Sequence, residues 1–472
     1  MTAGPARVWA WSTAALAAAL ALGLSWCIAH SPLTLYDGLG PILDAQASPG
    51  AASMWESAWR SSGYWRPLRL TQIKLLVDAS ADVAVTFKAV HVALTFAAFL
   101  LFAAWIRPRS LSEFVAGAIA LMIVAGHHSF FTLFSEAYPV NHFLEIVALT
   151  LAVGVLARGR PARWKDVLAP ILLAIGLLTI ESGILIGVAA ATCWIVGWRG
   201  ISGRGIAAIA LVIVAYMGLR FIVLDIPGPA LDERATGWWL SRLEPADIVA
   251  RFGANPLPFY AYNVMAALLD VLLSEPRAGT WLITERWTTG SLEPWTIVHL
   301  ASSTLVTAVM IVAFVPTWRR WRRGAATERD RFVLAAFALV AANAGLSFGY
   351  VKDEVLSVGA VLYAGGAFAS LAALGDRLQE QRAHVFAGVV LVCASALWSS
   401  RAAGTFLALQ ASAYKVATDW AVYSLERELP ADWAAEDRRR TFLELRQWSV
   451  ERGVPHPAFT PQRKLSSYLE IP

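Results

Sequence analysis

Long apolar runs alternate with polar connections along most of the chain. The alternation predicts membrane helices at Val8–Ala29, Phe87–Ile106, Leu111–Ala125, Val140–Ala157, Val167–Ile180, Gly183–Trp198, Ile206–Leu224, Trp295–Pro316, Phe332–Gly349, Leu356–Leu374 and Val385–Trp398. These lengths approach or reach what is needed to cross a hydrocarbon core of about 30 Å. The first run follows Arg7 as a signal peptide would, but it stays apolar through Ile28, which predicts a retained helix rather than a cleaved one. The expected fold class is therefore an all-α polytopic membrane protein of about eleven transmembrane helices.

The basic residues give this pattern a direction. Arg7; Arg107 and Arg109; Arg158, Arg160, Arg163 and Lys165; Arg199 and Arg204; Arg319 to Arg331; and Arg377 and Arg382 fall in alternate connections. Positively charged connections are retained in the cytoplasm, so the amino terminus is expected inside and the carboxy terminus outside. The same alternation puts Leu33–Thr86, Gly126–Pro139, the turn at Glu181, Asp225–Pro294, Val351–Val355 and everything after Ser399 on the outer side. Within the long Asp225–Pro294 loop, Pro258–Ser274 is apolar enough to lie in the interface or to re-enter the membrane. A full crossing there would place the Arg319–Arg331 cluster outside, and it is rejected for that reason. Residues 1–400 are thus expected to form the membrane domain, and residues 401–472, rich in Glu, Arg and Trp, an outer helical tail with amphipathic helices at Ala417–Leu429 and Ala434–Val450.

Composition agrees with this picture. Hydrophobic residues make up 57% of the 472 and charged ones only 15%, too apolar for a soluble chain of this length. The net charge of +5 comes from clusters between apolar runs, which is a topology signal and not a nucleic-acid footprint. All three cysteines, Cys27, Cys193 and Cys393, fall inside apolar runs, which argues against a disulfide framework or thiolate metal site.

Ionisable residues in or beside membrane helices are costly and point to function by default. Here they gather towards the outer ends: Asp37 and Asp44 after the first helix, Asp82, Lys88 and His91 at the second, and His127, His128 and Glu136 after the third. His142 and Glu145 open the fourth, and Glu181, Arg220, His299, Lys352, Asp353 and Glu354 follow. Each also has a plainer reading. Asp37 reads equally as a helix cap, Arg66 beside Tyr64 and Trp65 as an interfacial anchor, and His91 as a packed helix residue. The His127–His128 pair is compatible with a divalent metal, but the surrounding acids have no recognisable ligand spacing.

The order of features resembles a known superfamily. A first helix, an outer loop with an acid just after it (Asp37), then Tyr64-Trp65-Arg66-Pro67-Leu68 leading through an interfacial helix into helix two, is similar to the GT-C polytopic glycosyltransferases. The closer likeness is to bacterial membrane glycosyltransferases and protein O-mannosyltransferase-like proteins. Glu181-Ser182-Gly183 resembles their Lys-Glu-x-Gly turn, with Ile180 in place of the lysine, and Tyr216 to Arg220 resembles their Tyr-x-x-x-Arg helix end. The resemblance implies interfacial helices in the Leu33–Thr86 loop and a bacterial cytoplasmic-membrane location. It implies a polyprenyl-phosphate sugar as donor, and a glycan, lipid or protein as acceptor. It makes Asp37 the catalytic base and Arg66, Arg220 and Lys352 donor-phosphate partners, supported by Tyr64, Trp65, Asp44, His128, Glu136 and Glu181. Many members carry a second acid beside the first; Gly38 stands there, so a divalent metal is not a firm expectation, and Asp44 or Glu136 is left as an alternative second carboxylate. Two other classes stay open: a lipid-linked saccharide transporter, which would need a polar path through both leaflets, and a noncatalytic envelope-polysaccharide assembly protein.

Overall fold

The computed structural model describes residues 5–31, 36–60, 64–80, 83–135, 141–226, 231, 236–239, 241–274, 286–291, 293–379 and 384–427. It is almost entirely α-helical. The helices are α1 (Pro5–His30), α2 (Tyr36–Ala47), α3 (Ala51–Arg60), α4 (Pro67–Asp78), α5 (Val83–Ile106), α6 (Leu111–Gly126), α7 (His128–Ser135), α8 (His142–Ala157) and α9 (Arg163–Thr179). After a 3₁₀ turn at Glu181–Gly183 come α10 (Ile184–Ile195) and α11 (Gly203–Gly218), the latter ending in a π-helical turn, Leu219–Val223. A two-stranded hairpin, β1 (Thr236–Trp238) and β2 (Ser241–Leu243), precedes α12 (Pro245–Phe252), α13 (Leu257–Leu273), α14 (Pro294–Arg322), α15 (Glu328–Leu346), α16 (Ser357–Asp376) and α17 (His384–Arg427).

Six described helices are long and apolar enough to cross a membrane: α1, α5, α11 with its π turn, α14, α16 and the first part of α17. A seventh is obtained if α6 and α7, bent by 58° at His127, count as one span. The helices α8, α10 and α13 are apolar but shorter. Large apolar side chains left exposed on α11, α14 and α17, such as Leu211, Val214, Val312 and Val392, suit a lipid environment.

Local chemistry explains where the helices start. Ser110, Asn141, Ser202 and Thr327 each cap a helix by accepting a backbone N–H, and Pro67 and Pro294 occupy first-turn positions where no N–H is needed. At the centre stands α16, whose sequence SVGAVLYAGGAFASLAAL is buried almost throughout. Its glycines permit this: a Cβ on Gly365 would run into the Trp105 ring, and one on Gly366 would lie 2.6 Å from Ala336 and Met310. With little hydrophobic drive between helices in lipid, such close approach through small residues supplies the packing.

The basic turns meet at one end of the bundle. Arg329 bonds Glu113 at 2.9 Å and also Asp376; Arg158 reaches Glu328 at 2.9 Å; and Asp166 accepts from the Ser202 backbone at 2.7 Å. Thr327 caps α15 reciprocally with Asp330, which also binds Arg320 and Thr317. Burial pushes the Asp330 carboxyl up, but the bonds from Arg320, Thr327 and Thr317 outweigh it and hold the group at about 2. Surface pairs of this kind contribute only about 0–1 kcal/mol each, so they fix the register of the turns more than they stabilise the bundle. At the opposite end Lys88 of α5 donates to the Ala29 carbonyl of α1 at 3.0 Å, while His91 and Asn141 converge on the Leu133 carbonyl, each at 2.6 Å.

The carboxy-terminal region departs from expectation. The final apolar run is expected to end at Trp398, with a tail beginning at Arg401. Instead α17 continues unbroken for 44 residues through Arg427. Its buried stripe of Ala394, Trp398, Arg401, Thr405 and Leu409 keeps helical spacing across that point, so residues 401–413 pack on the bundle as the same helix. The first expected tail helix, Ala417–Leu429, is largely the end of α17; Ala434–Val450 lies outside the described residues.

Candidate functional site

Two polar centres lie at the end of the bundle opposite the basic turns. The first is assembled from the three short motifs. Pro67 opens α4 and disfavours the helical conformation at the residue before it, and Arg66 accordingly stays out of the helix with φ −132° and ψ 59°. Its guanidinium turns to Glu181: Nε donates to Oε2 at 2.9 Å and Nη2 to the same oxygen at 2.6 Å. The Tyr64 ring lies 4.2 Å under the Arg66 guanidinium carbon. Trp65 is buried, edge-on to Trp59 at 5.2 Å and 5.5 Å from the Tyr216 ring, and so anchors the loop to α11.

Glu181 is placed by a close backbone approach. A Cβ on Gly183 would collide with the backbone of Gly176, so only glycine lets the 3₁₀ turn fold this tightly onto α9. Arg220 comes from the π-helical turn, a geometry that re-aims side chains at helix ends. Its Nη1 lies 3.2 Å from Glu181 Oε1 and donates to the Tyr216 hydroxyl at 3.0 Å. Burial pushes the Glu181 carboxyl up; the Arg66 and Arg220 guanidiniums more than reverse this and hold it below its ordinary 4.5. Gln72, on α4, donates to Glu145 at 3.1 Å, and His142 Nδ1 lies 3.4 Å from the other Glu145 oxygen.

Of the residues singled out in the sequence, Tyr64, Trp65, Arg66, Glu181 and Arg220 therefore meet in one centre. Lys352 does not join the ion pairs there; its Nζ lies 3.5 Å from Glu354 and 5.9 Å from the Phe143 ring. Asp44 is exposed on α2. Asp37 sits in the first turn of α2, which packs on α4, but its side chain lies outside the described residues, as does the whole of Glu136.

The second centre is deeper. Where α6 breaks from α7, His127 approaches the Val271 carbonyl at 3.1 Å and His128 Nε2 the Asp270 Oδ1 at 2.7 Å, so consecutive histidines clamp the break to consecutive residues of α13. Asp270 is fully buried, and among the described residues neither its Oδ2 nor His128 Nδ1 has a hydrogen-bond partner. A Cβ on Gly126 would lie 2.8 Å from the Ala402 nitrogen, so that glycine brings α17 against the break. One residue earlier, Arg401 is fully buried, its guanidinium 4.2 Å over the Trp398 ring, with Nη1 donating to Ser274 at 3.1 Å, Ser302 at 3.0 Å and Ser303 at 2.9 Å. Among the described residues no carboxylate lies within 4.0 Å of Arg401, and its Nε and Nη2 have no partner. An unpaired buried ion costs several kcal/mol, of which the serine bonds offset part. Ser274 ends α13 in the left-handed region at φ 56°, a conformation usually filled by glycine and kept here with a side chain that reaches Arg401.

His128, Asp270 and Asp353 each offer one ligand atom, and these atoms lie within 4.8 Å of one another. The group could hold a metal ion. The 2.7 Å His128–Asp270 separation is already close to that of adjacent ligands on one ion, about 3 Å apart at bonds of ~2.1 Å.

Arg401 was missed in the sequence because the apolar run before it reads as complete at Trp398; Asp270, Ser302 and Ser303 were missed because they are isolated polar positions inside apolar runs. The usable signal for Arg401 was its place in the stripe that starts at Ala394. No protein-family model, curated protein or solved structure matches this chain.

Proposed function

We propose that the protein is a membrane glycosyltransferase that moves a sugar from a polyprenyl-phosphate donor to an acceptor at the outer face of a bacterial cytoplasmic membrane. The observation that carries this reading is the convergence of three motifs far apart in sequence, at Tyr64–Leu68, Glu181–Gly183 and Tyr216–Arg220, on one ion-paired centre. The three residues carry a net positive charge, two guanidiniums around one carboxylate, on the side of the bundle where Asp37 opens α2.

In the proposed reaction an acceptor hydroxyl gives its proton to the Asp37 carboxylate while its oxygen bonds the anomeric carbon. The bond from that carbon to the phosphate oxygen breaks, and the lipid phosphate leaves with one more negative charge. A base must lie within hydrogen-bond reach of that proton, and the leaving phosphate gains from fixed positive charge near it. Arg66 and Arg220 supply that charge in this scheme, and Glu181 holds their guanidiniums in place. The proposal includes the finer topology of eleven crossings with the basic end cytoplasmic; the basic residues in alternate connections support it, and six described helices, or seven with the bent α6–α7 pair, are long and apolar enough to cross a membrane.

The test is sugar transfer from polyprenyl-phosphate donor in membranes. Asp37→Asn is expected to lower turnover by about 10²- to 10⁴-fold with the protein still folded. Undiminished turnover removes Asp37 from the chemistry.

The broken α6–α7 pair favours a second reading. Discontinuous helices with polar residues at the break are the form that transporter binding sites take. Movement of labelled lipid-linked sugar across vesicles without covalent transfer would select it.

A further inference from the structure

The donor inventory around Arg401 does not close. A guanidinium has five N–H groups. The two on Nη1 are spent on the hydroxyls of Ser274, Ser302 and Ser303, with the His299 carbonyl at 3.4 Å. The three on Nε and Nη2 have no partner among the described residues, although the side chain is fully buried. The hydroxyls add to the surplus. Ser302 gives its proton to the His299 carbonyl at 2.9 Å, and Ser274 and Ser303 share one bond at 2.5 Å, which leaves one of their two protons unspent. The Tyr363 hydroxyl also donates, to the Ser303 carbonyl at 3.2 Å.

The orientation is as informative as the count. Nε and Nη2 lie on the same edge of the guanidinium, the side-on fork that matches two oxygens of one oxyanion. The serines hold the opposite nitrogen and Trp398 stacks on the face at 4.2 Å, so the fork is fixed by its surroundings rather than left to swing.

We propose that Arg401 is the anchor of a buried phosphate-binding site, distinct from the Arg66–Glu181–Arg220 centre. The ligand takes the Nε and Nη2 donors through two oxygens, the bidentate match that an arginine offers to phosphate, while the serines on Nη1 hold the guanidinium in place. The phosphate arrives either as a lipid headgroup or as a free ion. The site does not require sugar transfer, so the two ideas fail separately.

The experiment uses the full chain in nanodiscs. The probes are inorganic phosphate, a polyprenyl monophosphate, and the same polyprenol without phosphate. Thermal unfolding and hydrogen exchange of wild type are read first, since they need no variant. At least one phosphate probe is expected to raise the unfolding midpoint and slow exchange in the segments around Ser302 and Arg401, while the polyprenol does neither. Response to the lipid alone assigns a headgroup site, and response to inorganic phosphate assigns a site open to the free ion. Arg401→Lys keeps the charge but not the fork and is expected to weaken binding by about tenfold or more. Arg319→Gln, at the basic end, is expected to leave it unchanged. The proposal is overturned if neither phosphate probe acts on wild type, or if Arg401→Lys and Arg401→Gln bind as wild type does. Strong non-additivity between Arg401→Gln and Asp270→Asn in stability would also overturn it, because the fork would then belong to an internal carboxylate. Phosphate binding without sugar transfer keeps the site and removes the transferase. Transfer undiminished in Arg401→Gln removes the site from the reaction and leaves the transferase.

Discussion

The two polar centres use the same side chain in opposite ways. At Arg66 and Arg220 the guanidiniums surround a partly exposed carboxylate, with Arg66 half-buried and Arg220 buried; at Arg401 the guanidinium is closed off, with hydroxyls on one side and no partner among the described residues on the other. In the first centre both guanidiniums pair with one carboxylate, which leaves, of their buried atoms, only Glu181 Oε1 and Arg220 Nε without a hydrogen-bond partner among the described residues. The second is an unfinished set of bonds held in place by packing. Open donors such as those of the second centre suit a buried anion, whereas in the first a carboxylate holds both arginines and the loop in place and leaves one net positive charge for the proposed donor phosphate.

The contrast is sharpest in stability, where the two centres should respond with opposite sign. Glu181→Ala leaves Arg66 and Arg220 facing each other without a counter-charge and is expected to cost about 3 kcal/mol in thermal or denaturant unfolding in detergent. A loss under about 0.5 kcal/mol would mean that water already screens the pair. Arg401→Met removes an unpaired buried charge and fills a similar volume, so it is expected to stabilise ligand-free protein by about 2 kcal/mol. Destabilisation of that size would show instead that the arginine has a partner.

Ser274 gives a smaller test. Ser274→Ala loses the hydroxyl that Arg401 uses, at a cost of about 1 kcal/mol, whereas Ser274→Gly also relieves the left-handed backbone and is expected to come out close to neutral. Equal losses from both would assign the effect to the hydroxyl alone. The smallest effect is on pH. Because the Glu181 carboxyl is held below its unfolded value, its contribution is fully present above about pH 4.5 and is lost as pH falls through its lower folded value. Unfolding followed from pH 7 to 5 should therefore show no difference between wild type and Glu181→Gln that varies with pH. A difference that changes within that window would mean the two arginines do not control Glu181.

The sequence foretold the first centre far better than the second, and the reason is physical. Arg66, Glu181 and Arg220 each interrupt apolar patterning beside a proline, a glycine or a helix end, where polar residues stand out. The basic turns were legible on the same principle, and the structure gathers them at one end. Arg401 and Asp270 lie instead within helices that continue past them: the run judged by apolar length stops at Trp398, three residues short of Arg401, and Asp270 is a single acid inside the apolar stretch Pro258–Ser274. The pairing of Lys352 with Glu354 was hidden for another reason: neighbours in a loop compete for a charge in ways that linear order does not rank. The α6–α7 break was likewise read as a simple boundary, because nothing in Gly126-His127-His128 announces that the chain turns by 58° and goes on.

The unbroken course of α17 has a mechanical consequence. At 1.5 Å per residue its 44 residues make a rod of about 66 Å, twice the thickness of a hydrocarbon core. From Arg401 to its end at Arg427 the rod extends about 39 Å more. A helix of that length bends only gently, so a load or a docked partner near Arg427 acts as on a lever whose fulcrum is the crowded crossing at Gly126, one residue from the Arg401 guanidinium. Spin labels near Arg427 and on α6 would read that tilt as a change in distance when the fork is filled.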